Sequence, residues 1–145
     1  LDRAGPFRDL PMGEDWELYV RLAQTGTFRY LRFEPVVEYR RHPASLTARH
    51  AERIEALLPS IDAVYANPGV RSRFPARMLV RERRKCVAGA YGYAGRTALK
   101  NANWEVARRN LFACVRRHPW RSRDWIFLVA ALVRWVPRPL QRRIK

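Results

Sequence analysis

From Thr47 to the C-terminus apolar residues recur about every third or fourth position, the period of an α-helix, and are interrupted only where proline, glycine or asparagine breaks the pattern. This pattern predicts four helices. The first covers residues 48–66, bent at Pro59, and Asn67-Pro68-Gly69 then turns the chain. The second covers 75–100 and carries Gly89, Gly92 and Gly95, spaced so that another helix can approach closely. The third is capped by Asn103 and stopped after Arg117 by His118-Pro119. The fourth covers 124–136. A chain of 145 residues arranged this way is long enough to bury a core.

The second and third helices place Tyr91, Ala94, Gly95, Ala98, Ala107, Leu111, Cys114 and Pro119 at spacings that resemble one tetratricopeptide-like hairpin. Such arrays need about three repeats for stability. The expectation is therefore a helical hairpin and nothing more specific.

Charge divides the chain in two. Residues 1–50 hold eight Arg against seven acids, a net of +1, whereas residues 51–145 hold 21 Lys or Arg against six acids, a net of +15. The cations are almost all Arg. Guanidinium forks bind anionic oxygens in pairs, although a GC-rich genome gives the same bias. The asymmetry predicts two regions, 1–49 and 50–145, with an anionic neighbour for the second. The last helix sharpens this, because residues 125–133 are uninterruptedly apolar and are flanked by Arg121, Arg123, Arg134 and Arg138, with Trp120, Trp125 and Trp135 at the ends. That run is far short of the ~20 residues needed to cross a bilayer. It fits either an interfacial anchor beside anionic lipid or a terminal helix packed on the hairpin. No nucleic-acid motif accompanies the basic residues, so no specific nucleic acid is expected. Cys86 and Cys114 have no C-x-x-C spacing and read as small buried hydrophobes in a reducing compartment. No stretch has the pattern of a signal peptide.

The first third differs. Gly13-Glu14-Asp15-Trp16-Glu17-Leu18-Tyr19-Val20-Arg21-Leu22-Ala23 opens a helix with acids in its first turn, which complement the positive end of the helix dipole. Trp16, Tyr19, Val20 and Ala23 share its apolar face, which Leu18 and Leu22 widen; Glu17 and Arg21 pair on the remaining polar side, and Gly26 ends it. Residues 28–33 alternate apolar and basic side chains and predict a strand, and residues 35–40 predict a second. Tyr39-Arg40-Arg41-His42-Pro43-Ala44-Ser45-Leu46-Thr47 follows as a compact basic loop.

An acidic pair leading into W-x-L-x-x-R-L-A, followed by a strand pair and a Y-R-x-H loop, resembles the acceptor-side half of family 2 glycosyltransferases with a GT-A fold. Leu1-Asp2-Arg3-Ala4-Gly5-Pro6-Phe7 looks like that family's approach to the acidic pair. The resemblance covers residues 1–47. It implies an α+β chain, mostly helical: the C-terminal fragment of a GT-A α/β domain followed by an α-helical hairpin region. It also implies that the nucleotide-binding half with its D-x-D-like motif precedes Leu1, and that this portion alone does not catalyse. Q-x-x-R-W, the motif of processive members, is missing, which points to transfer of a single sugar.

By the resemblance Asp15 is the general base that takes the proton of the acceptor hydroxyl, and Glu14 orients the acceptor or the loop. Trp16, Arg40, Arg41 and His42 are the implied substrate-binding residues. The two arginines offset the charge of the leaving nucleoside diphosphate, and His42 contacts that diphosphate or its divalent metal. The implied cofactor is Mn²⁺ or Mg²⁺, held mainly by the preceding half. The implied partners are a nucleotide-sugar donor, a glycan or lipid-linked acceptor, and an anionic membrane surface. The expected location is cytoplasmic, peripheral at the inner face of the plasma membrane. From a different class, a non-catalytic basic helical module binding nucleic acid or a protein is the alternative.

Overall fold

The computed structural model describes residues 3–29 and 54–136. Among these residues the structure is helical and contains no strand. The predicted strand pair falls almost wholly on residues outside the described ones; Phe28 and Arg29 lie in irregular backbone. Helix α1 spans Glu14–Thr25. A 3₁₀ turn over Ile54–Leu57 leads into α2, Leu58–Ala66. Pro59 therefore lies in the first turn of a helix and does not bend one, as expected for a residue with no N–H to offer there. The predicted turn at Asn67 is instead the cap of a short helix α3, Pro68–Arg71, with Asn67 Oδ1 accepting from the Gly69 and Val70 amides at 2.9 and 3.3 Å.

The hairpin forms as expected. Helix α4 spans Ala76–Lys100 and α5 spans Trp104–Arg117, the latter capped by Asn103 Oδ1 accepting from the Val106 amide at 3.3 Å. Between them the chain reverses through Ala102 at φ 55°, with the Asn103 amide bonded back to the Ala98 carbonyl at 2.9 Å. Gly92 and Gly95 set the closeness of the pair. A Cβ on Gly95 would stand 2.5 Å from Leu111 Cγ and 3.1 Å from the Leu111 amide nitrogen, and one on Gly92 would stand 3.0 Å from Cys114 Sγ. Gly89 faces no such neighbour.

Helix α6, Ser122–Leu132, starts two residues earlier and ends four residues earlier than its apolar run implied. Its end is set by Arg134 at φ 51° and the Trp135 amide bonded to the Ala130 carbonyl at 3.1 Å. It packs Phe127, Leu128 and Ala131 into a core shared with Ile54, Ile61, Val87, Tyr91 and Leu111. Buried Asp124 favours this packing, paired with Arg96 of α4 at 2.5 Å and Arg121 at 3.0 Å. Cys114 Sγ donates to Asp124 Oδ2 at 3.4 Å. Burial, followed by the neighbouring carboxylate, pushes that thiol up to about 12, so Cys114 is an inert core residue. Cys86, half-buried, is also a free thiol.

Candidate active site

The acidic opening of α1 is built from three carboxylates with two different fates. Asp15 is exposed, and its Oδ1 accepts from the Trp16 amide at 2.8 Å. Glu14 is half-exposed, and no described residue pairs with it. Glu17 is 1% exposed and fully engaged. Its oxygens accept from Arg21 Nε at 3.0 Å and pair with Arg8 Nε at 3.3 Å. The Glu17–Arg21 pair therefore belongs to the buried side of α1, not to an exposed polar face. The expected apolar face holds in part: Leu18 is buried and Trp16 packs against the core, whereas Tyr19 and Ala23 are exposed.

The reason is the segment before the helix. Arg21 donates to the carbonyl oxygens of Ala4 and Pro6, the latter at 2.7 Å, so one guanidinium ties the helix to residues 4–6 as well as to Glu17. Gly5 sits at φ 74°, a backbone conformation that turns the chain so that both carbonyls meet Arg21. A charge-assisted fork of this kind holds a loop with more geometric definition than a single neutral bond.

Beneath the opening, Gly13 has φ 78°, and a Cβ there would stand 2.7 Å from Leu57 Cδ1. The Ser60 hydroxyl donates to the Met12 carbonyl, and Gln24 Nε2 donates to Asn67 Oδ1 at 3.0 Å. Both ends of α1 are thus seated on α2 and α3. The helix contributes the half-buried Trp16 to the core and leaves Asp15, about 100° round the helix, facing solvent.

On that side Asp15, Tyr19 and Ala23 form one exposed ridge, since residues four apart stack on a helix face about 6 Å from each other. Tyr19 meets Phe28 edge to face, with ring centroids 6.3 Å apart and planes at 85°. Both rings remain more than half exposed. A carboxylate beside an open aromatic pair is able to accept a hydroxyl proton while the rings take the apolar face of a bound sugar. Tyr19 and Phe28 were not singled out by the sequence, because an aromatic on the apolar side of a helical or a strand pattern reads as core.

Arg40, Arg41 and His42 lie outside the described residues. Among the described residues, no group of three His, Cys, Asp or Glu side chains converges as metal ligands. No protein-family model, curated protein or solved structure matches this chain.

Proposed function

We propose that this chain forms the acceptor-side portion of a glycosyltransferase of the family 2 type, with Asp15 as the general base. The observation that carries the reading is the division of labour among the first-turn acids. Glu17 is consumed in holding α1 to residues 4–6, whereas Asp15 keeps a solvent-facing oxygen with no partner among the described residues. A base must be reachable and fixed in place, and the Arg21 fork with the Ser60 contact supplies the fixing.

In the proposed step the acceptor hydroxyl oxygen attacks the anomeric carbon of a nucleotide-sugar and gives its proton to Asp15. The bond from that carbon to the diphosphate oxygen breaks with its electron pair, so the product is inverted and the nucleoside diphosphate leaves as an anion. Tyr19 and Phe28 support the acceptor ring, and Glu14 orients it. Arg40, Arg41 and His42 are assigned to the diphosphate by the resemblance alone. A divalent ion bound by the donor half would add charge neutralisation there.

Replacing Asp15 by Asn, in the enzyme that joins this chain to a donor-binding half, keeps the shape and removes the basicity. Turnover is expected to fall by ~10²–10⁴-fold with nucleotide binding retained. Turnover above about a tenth of the parent's would sink the base assignment, since a positioned base contributes more than that. The reading frame upstream of Leu1 gives an independent test. Continuation into alternating strands and helices ending in a D-x-D motif supports the reading, and a start codon close to Leu1 counts against it.

A further inference from the structure

Helix α6 is apolar on two opposite sides, and the hairpin covers one of them. Asp124, Phe127, Leu128 and Ala131 face inward and are buried. Trp125, Ile126, Val129, Leu132 and Val133 follow one another at helical spacing on the other side, each between 45% and 59% exposed. Trp120 and Trp135 stand exposed just before and just after the helix. This outward stripe is the largest run of exposed apolar side chains among the described residues, and patches of that kind mark contact surfaces.

The surrounding charge decides what can cover it. From Val106 to Val136 the chain has seven Arg and a single acid, Asp124. That acid is fully buried and neutralised by Arg96 and Arg121. The stripe therefore lies in a surface that offers cations, with no accessible carboxylate in this stretch of sequence. A second copy of the chain would bring two such positive surfaces together, which like-charge repulsion opposes. A nucleic acid would meet the arginines but leave the Trp, Ile, Val and Leu side chains in water. An anionic bilayer satisfies both at once. Its headgroups take the arginines, and its interfacial zone takes the apolar stripe with tryptophans at the boundary. Among the described residues no helix is long and apolar enough to cross a membrane, so the helix would lie in the interface plane.

We propose that α6 docks this chain flat on an anionic lipid surface, with Trp125, Ile126, Val129, Leu132 and Val133 entering the interfacial layer and the neighbouring arginines meeting the headgroups. The surface does not depend on the glycosyltransferase reading, and a failure of either leaves the other intact.

The test is co-sedimentation of the 145-residue chain with vesicles of phosphatidylcholine alone and of phosphatidylcholine mixed with phosphatidylglycerol. The chain is expected to pellet with the mixed vesicles and to stay in solution with phosphatidylcholine. Ile126→Glu combined with Val129→Glu places two carboxylates on already exposed positions. It is expected to weaken binding by about tenfold or more while circular dichroism stays unchanged. A parent chain that binds neither vesicle overturns the proposal, as does a double variant that binds as tightly as the parent. If light scattering without lipid shows a parent dimer that the double variant dissolves, the stripe is an interface between copies and the proposal fails. Should the double variant not fold, brominated lipid applied to the parent gives the answer. Quenching of tryptophan emission is expected, and its absence overturns insertion.

Discussion

Glu17 is a carboxylate removed from water at a helix opening where its neighbours Glu14 and Asp15 remain accessible. Its cost of desolvation is offset only because Arg21 and Arg8 both reach it, and because Arg21 also serves the carbonyls of Ala4 and Pro6. Deleting one partner of such a buried arrangement leaves a guanidinium without its counter-charge. Glu17→Ala is therefore expected to cost about 3 kcal/mol in urea denaturation, at the lower end because Arg8 is half exposed and stays solvated. Glu14→Ala, at a half-exposed position with no partner among the described residues, should change stability by no more than about 0.5 kcal/mol. Equal effects from the two substitutions would mean that the Arg21 fork does not anchor the helix. Asp15 follows a third logic. Its carboxylate is exposed, and under the proposed role as base its loss is felt in turnover and not in folding.

Between elements, the hairpin depends on how closely α4 and α5 approach. Gly95 lies against Leu111, including its backbone nitrogen, and the backbone cannot yield as a flexible side-chain tip can. Gly95→Ala is expected to destabilise by about 2 kcal/mol through overpacking. Gly89 sits six residues earlier on the same helix, where an added methyl meets only the end of Arg121 at 3.5 Å. There alanine's better helix propensity prevails, and Gly89→Ala should raise stability by up to about 1 kcal/mol. Thermal melts of the two variants beside the parent check both signs. A loss at Gly89 equal to that at Gly95 would show that the helices approach along the whole glycine series. Helix α6 adds a different kind of specificity. Buried Asp124 pairs with Arg96 of α4, and that inter-helix pair favours the side of the helix that faces inward, while Arg121 on its own segment adds charge balance.

For the whole molecule, the formal net charge of +16 sets a repulsive background that local pairs only partly relieve. Arg83 with Asp62, and Arg81 and Lys85 with Glu82, are exposed pairs, and such pairs contribute little each. Raising NaCl from about 0.02 M to about 0.3 M shortens the screening length from roughly 20 Å to roughly 6 Å. The melting temperature is expected to rise, because screening removes more repulsion than attraction. A fall would make the surface pairs the larger contribution. Much of this molecule was legible in its sequence. The α4–α5 hairpin, the Asn103 cap, the stop at His118 and the free cysteines follow from propensity, capping chemistry and spacing, which act within a few residues and need no partner to be read. The orientation of α1 was only partly legible. Its apolar period pointed to Tyr19 and Ala23, but Arg21 found acceptors at Ala4 and Pro6, and that contact buried Glu17 instead. Nor could the sequence decide between a packed and an exposed last helix, since both of its sides are apolar. Only the pairing of Asp124 with Arg96 of α4 did so, because a buried charge accepts few arrangements while an apolar side chain accepts many.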